Sequence, residues 1–292
     1  MEKINGFLLI DKPEKITSTD VLNKLKKKFK FKKIGHTGTL DPFASGLLVI
    51  AVNKATKFVE YLQKEKKGYQ ALIELGKISF SYDIDTPIMY VHNYEVPKEK
   101  EIKTILKKFL GKQLQYPPEL SAKRIKGKRA YDIFRKERKF PILNPKEVEV
   151  YDLVLLSYNF PYLSIYTLVS GGTYIRALAR DIGNTLKVGG ILRKLRRVSI
   201  GNLNISQAIS LEKVLSLSSS DLEKYIIPID KALFFESYFL PEKDVKLFLN
   251  GNKVICNSSV DGIFKVYSKE NKQFLGIGEI KKGILYPRKV IG

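Results

Sequence analysis

The run Leu47–Val52, LLVIAV, is uninterrupted by any polar residue. An apolar, β-branched stretch without alternation reads as a buried strand, not as one with a face in water. What precedes it differs in kind. The segment Gly35–Gly46, GHTGTLDPFASG, holds three glycines, a proline and one carboxylate, Asp41. Glycine and proline supply unusual or fixed φ, and Asp-Pro often starts a turn. A tight loop feeding a buried strand is expected. By itself that pattern explains Asp41 as a turn residue, and no cation stands next to it in the chain.

Elements on either side follow from periodicity. Gly6–Ile10 reads as a short strand. Thr17 or Ser18 can cap a helix whose apolar face is Val21, Leu22, Leu25 and Phe29. A helix is expected around Thr56–Lys67, then a strand Tyr69–Leu75 with Tyr69, Ala71, Ile73 and Leu75 on one side. Helices fit Lys98–Leu110 and Gly127–Glu137, and strands fit Val148–Leu156 and Leu163–Ser170. Thr173 can cap a helix that turns Ile175, Leu178, Ala179, Ile182 and Leu186 inward. From about Leu240 the texture changes to short strands with the turn pairs Asn250-Gly251, Asp261-Gly262 and Lys282-Gly283. This predicts a small all-β unit, with residues 1–229 as one domain and 230–292 as a second.

Charge narrows the partner. Lys and Arg number 52 against 30 Asp and Glu, a formal net charge of +22 over 292 residues. Thr104–Lys139 alone carries twelve Lys and Arg against three acids. Such a balance points to a polyanion, nucleic acid first. One cysteine, Cys256, excludes an intrachain disulfide, and His36 and His92 are far apart, so no metal or other cofactor is expected. No apolar run nears the roughly 20 residues of a membrane span. The N-terminal run Phe7–Ile10 is too short for a signal peptide, so a reduced cytoplasmic setting is expected. No GxxxxGK[ST] occurs, and the GxG at Gly276–Gly278 stands alone.

Five blocks in order, GFLLIDKP, GHTGTLDPFASGLLVI, GYQALIELG, SGGTYIRALARDIG and LRKLRRVSIG, resemble the bacterial tRNA pseudouridine synthases of the TruB family. The resemblance runs over nearly the whole chain. It implies an α+β pseudouridine synthase fold, a mixed, mainly antiparallel sheet with flanking helices, followed by a small β-barrel-like PUA domain. It implies a cofactor-free monomer, with no obligate protein partner, acting on the T-arm of tRNA and touching the acceptor end. Uracil would be detached from ribose, rotated and rejoined through C5. Asp41 matches the family's catalytic carboxylate, the expected nucleophile, and Arg176 the cation that keeps it ionised and oriented. Whether attack falls on C6 or on C1′, or only assists glycal formation, is open.

Tyr69 matches the tyrosine that stacks on the target base, Tyr174 and Leu195 line the uracil pocket, and His36 lies beside the flipped nucleotide. Without the resemblance, Tyr69 reads as a core tyrosine, Leu195 as a buried anchor, His36 as a turn residue and Arg176 as a surface arginine. Arg180, one turn beyond Arg176, stays a structural or surface residue. The basic segment 119–140 is a candidate RNA clamp. Four positions depart from the family pattern: Phe80, Thr86, Leu120 and Arg124. Two other readings stand beside this one: a guide-RNA-type pseudouridylase, and a non-catalytic factor that binds and folds tRNA.

Overall fold

The computed structural model describes residues 4–120, 124–125, 128–129, 143–256 and 260–291. The expected helix Gly127–Glu137 and most of the basic segment 119–140 lie outside the described residues.

The run Leu47–Val52 belongs to the strand Ser45–Val52, which is buried almost throughout. It pairs antiparallel with Gly6–Lys12. One face of this pair, with Leu8, Ile10, Leu48 and Ile50, receives Val21, Leu25 and Phe29 from the helix Ser18–Phe29. The other face, with Phe7, Leu9, Leu47 and Val49, is covered by Phe58, Leu62, Ile229 and Leu233. Two covered faces are why the sequence shows no alternation there. The helix Ser18–Phe29 starts at Thr17, whose side chain accepts from the Asp20 amide while Asp20 accepts in return.

Around this pair the described residues build an eleven-stranded mixed sheet. Its spine runs Ile209–Ser210, Gly6–Lys12, Ser45–Val52, Gly190–Ile200, Lys67–Leu75, Tyr162–Val169, Lys146–Asn159 and Gly111–Gln115. Most contacts are antiparallel; Ile209–Ser210 joins Gly6–Lys12 in parallel, and Gly190–Ile200 joins Ser45–Val52 in parallel. Tyr69, Ala71, Ile73 and Leu75 do share a buried face, packed against Ile102, Leu106, Ile175, Leu178 and Ile182 of the helices Glu99–Lys108 and Ile175–Thr185. The segment expected as one helix at Thr56–Lys67 is a 3₁₀ turn, Asn53–Phe58, continuing into a short helix, Val59–Lys64.

The junction of Ser45–Val52 with Gly190–Ile200 is only two residues long, Arg196 opposite Ser45 and Arg197 opposite Gly46. There the two halves of the sheet part, and the Asp41 loop enters at the split. Gly46 has φ +103°, and a β-carbon on it would lie 2.3 Å from the Arg197 carbonyl oxygen. Only glycine fits that approach.

The C-terminal unit is a five-stranded sheet, Glu236–Leu240, Gly262–Ser268, Phe274–Lys281, Ile284–Val290 and Val254–Ile255 in spatial order, curled around Phe248, Leu240, Val266 and Leu285. It is not all β: the helix Glu242–Leu249 crosses it. Asn250-Gly251, expected as a hairpin turn, closes that helix instead, with the Gly251 amide donating to Phe248 O. Lys282-Gly283 does turn a hairpin. The unit docks through Phe274 and Ile277 onto the core under Phe58 and Ala55. Among the described residues no helix is long and apolar enough to cross a membrane.

Candidate active site

The Asp41 loop is tied down from several sides. Ser18 Oγ donates to Leu40 O at 3.0 Å and accepts from the Leu40 amide at 2.9 Å, both buried. The Lys15 amide donates to Pro42 O, and the Ala44 amide donates to Asp41 O, closing the Asp-Pro turn. Asp41 is thereby turned into a cavity of about 360 Å³, a volume usual for small-molecule sites of about 300–1,000 Å³.

That cavity gathers five of the six site residues expected from sequence: Asp41, Tyr69, Tyr174, Arg176 and Leu195. Arg176 Nε lies 3.1 Å from Asp41 Oδ2. The pair joins residues far apart in the chain, because the first turn of Ile175–Thr185 faces the loop across the split in the sheet. Tyr69 and Leu195 stand on adjacent strands, an aromatic and an aliphatic wall, both nearly buried. The backbone of Tyr174 is held by Gln115, whose amide oxygen accepts from Tyr174 N at 2.8 Å and whose Nε2 donates to Tyr174 O at 3.1 Å. Thr173 does not cap the helix, as the sequence suggested; its hydroxyl turns back to Ser170 O, and Tyr174 is the N-cap.

His36 does not line the cavity. It sits at the entry to the loop, with the Gly38 amide donating to its Nδ1 at 3.3 Å. Burial first, and the charge of Arg197 second, push its imidazole below the usual histidine value, which suits a ring nitrogen that must accept.

Arg176 has a second carboxylate. Its Nη1 lies 3.2 Å from Asp83 Oδ2, and the same nitrogen donates to Ser81 O and Leu120 O. Asp83 is almost wholly buried and also accepts from the Asp85 amide and the Ser81 hydroxyl. Burial raises its carboxyl above the ordinary value, with Arg176 the chief opposing influence. Thr86, one of the departures from the family pattern, holds Ser81: its Oγ1 accepts from the Ser81 amide at 3.1 Å and lies 2.8 Å from Ser81 Oγ. Sequence reasoning did not place Asp83 in the site.

Two further cations in the cavity wall escaped it too. Lys67 donates to Gln63 O and Glu65 O, and burial brings its ammonium down to about 8. Arg197 is almost wholly enclosed. Strand periodicity could have found it, since residue 197 faces the same way as Leu195. Arg180 is elsewhere, paired with Asp181 and set over the Tyr82 ring. It borders a second cleft of about 370 Å³ with Phe80 and Met89, whose carboxylate, Glu119, accepts from the Tyr82 hydroxyl.

The mixed, mainly antiparallel sheet with flanking helices is a pseudouridine synthase fold, shared with known proteins of that class. Residues 26–175 match the model of the TruB family pseudouridylate synthase N-terminal domain. Residues 176–234 match the tRNA pseudouridylate synthase B C-terminal domain, and 239–291 the C-terminal model of pseudouridine synthase II TruB. The chain is 40% identical to the tRNA pseudouridine synthase B of Aquifex aeolicus (strain VF5), over 99% of this chain and 100% of that one. It is 40% identical to the protein of that name from Clostridium kluyveri, over 94% and 95%. The chain belongs to the TruB family and is a pseudouridine synthase. Among solved structures, a chain of an H/ACA RNP bound to a substrate RNA containing 2'-deoxyuridine superposes with a TM-score of 0.74 at 22% identity, covering 98% of this chain and 85% of that one. At that identity the likeness speaks for the fold.

Proposed function

We propose that this chain converts one uridine in the T-loop of tRNA to pseudouridine, with Asp41 as the nucleophile. The observation that carries the reading is the Asp41–Arg176 pair at the wall of a cavity bounded by Tyr69 and Leu195. The names of its relatives supply tRNA as the substrate class, and the charge of +22 suits an RNA partner.

A flipped uracil stacks on Tyr69 and abuts Leu195 and Tyr174, and His36 fills the space the nucleotide leaves. Asp41 attacks the nucleoside at C1′ or C6, and Arg176 holds the carboxylate in line. The N1–C1′ bond breaks and the C5–C1′ bond forms. The C5 hydrogen leaves as a proton and N1 gains one, so nothing is added overall. Lysines and arginines in segment 119–140 clamp the T-arm, and the domain spanning 230–292 reaches the acceptor end. The enzyme works as a monomer without a cofactor.

The test is tritium release from C5-labelled uridine in an unmodified tRNA transcript. Wild type releases label from one T-loop uridine; Asp41→Asn binds the transcript and releases none. Tight binding without release by wild type refutes the isomerase and favours an RNA-folding role.

A further inference from the structure

Among the described residues, no carboxylate lies within salt-bridge distance of the buried Arg197. Arg197 is 1% exposed, and its guanidinium meets carbonyls instead of carboxylates. Nε donates to Leu47 O at 2.7 Å and Nη2 donates to Gly38 O at 3.0 Å. An enclosed cation of this kind is costly to keep. It is enclosed in the cavity wall, unlike the exposed basic residues of the surface. Its cost is better explained by what the two carbonyls belong to.

Leu47 begins the buried run after the loop, and Gly38 lies inside the loop, three residues before Asp41. Arg197 itself comes from the strand that places Leu195 in the cavity wall, and its backbone pairs with Gly46. One rigid, planar fork therefore joins the loop, the strand that leaves it and the strand across the split. A point donor such as lysine cannot span both acceptors in the same geometry. The charge is also felt nearby: His36, at the loop entry, is lowered partly by Arg197, and so are Lys67 and Lys12.

We propose that Arg197 is a positioning residue for the reaction, bracing residues 37–44 against both strands so that Asp41 is held where it meets the nucleoside. This rests on the proposed role of Asp41. It predicts an effect on the chemical step and not on RNA binding.

The experiment compares wild type with Arg197→Met and Arg197→Lys in cooperative unfolding, tRNA affinity and single-turnover pseudouridine formation. The chain has two histidines, so their imidazole titrations can be followed separately by NMR. The expected result is a folded Met variant that binds tRNA within about threefold of wild type but reacts about a hundredfold more slowly, the scale of a small misplacement of a reacting group. The Lys variant keeps the charge without the fork and is slowed about tenfold. His36 titrates higher in the Met variant and stays near its wild-type value in the Lys variant, while His92 moves in neither.

A Met variant that folds and reacts at the wild-type rate overturns the proposal. So does a rate loss matched by an equal loss of tRNA affinity. If the Met variant fails to fold, the Lys variant decides: full activity overturns the brace, slowed chemistry with intact binding supports it. Should wild type form no pseudouridine, the functional reading has failed on its own. The His36 titration then judges the contact, and an unmoved His36 in the Met variant refutes it.

Discussion

Arg176 takes one carboxylate from the loop Gly35–Gly46 and another from the turn Ser79–Thr86, and the two are not equivalent. Asp41 sits at 3.1 Å with its side chain 36% exposed; Asp83 sits at 3.2 Å with 1% exposed. The loop is held by its backbone, through Ser18, Lys15 and Val49, so its carboxylate is left facing the cavity. The turn is held by the carboxylate itself, which accepts from Arg176, the Ser81 hydroxyl and the Asp85 amide. A group that must meet substrate keeps a face toward solvent. A group that must hold an arginine still is taken out of water, where its interactions are stronger and leaving it unpaired is expensive.

This division predicts opposite signatures for the two aspartates. Asp41→Asn should lose on the order of 10⁴-fold or more in turnover, as removal of a nucleophile does, while its unfolding midpoint barely moves. Asp83→Ala should lower stability by about 3 kcal/mol, because it strips a buried cation of its enclosed partner. Turnover should fall only about a hundredfold, through a displaced Arg176. Urea unfolding and single-turnover assays on the same preparations decide it. If Asp83→Ala abolishes turnover as fully as Asp41→Asn with stability intact, both carboxylates do chemistry and the division is wrong.

The pH dependence sharpens the same point. Burial holds the Asp83 carboxyl above its unfolded value of 3.8. The folded state thus keeps this proton longer than the unfolded state does. The contribution of Asp83 is fully present below 3.8 and declines as pH rises through the raised folded value, by at most ~1.4 kcal/mol per pH unit. The stability advantage of wild type over Asp83→Asn should therefore shrink as pH rises from about 4 toward neutrality. An advantage that grows over that range would mean that attraction to Arg176 outweighs burial.

Legibility in the sequence followed the range of the interaction. Local patterns were readable: the apolar face of Ser18–Phe29, the alternation of Tyr69–Leu75 and the glycine loop before LLVIAV each announce their structure within a few residues. The Asp41–Arg176 pair was reached through the resemblance, since nothing in either segment alone names the other. Gln115, which fixes Tyr174 from 59 positions away, carries no signal at all. Arg197 was hidden for a different reason. In LRKLRRVSIG a charged residue on a strand reads as solvated, although two-residue alternation puts it on the same face as the buried Leu195. The helix Glu242–Leu249 was missed because Asn-Gly serves a helix end as readily as a hairpin.

The smallest test separates how the two turns are anchored. Ser18 Oγ satisfies both the amide and the carbonyl of Leu40 inside the core. Ser18→Ala leaves two buried backbone groups unpaired next to Asp41, which should cost about 1–3 kcal/mol, and the loosened loop should slow the chemistry about tenfold. Thr86 Oγ1 anchors the other turn from a half-buried position, where water can replace a lost hydroxyl. Thr86→Ala should cost about 1 kcal/mol or less, with little change in rate, because Asp83 keeps Arg176, Ser81 and the Asp85 amide. Thermal unfolding and single-turnover rates of the two alanine variants give the comparison directly. A larger rate loss from Thr86→Ala would show that the catalytic geometry is set from the Asp83 side, with the loop following.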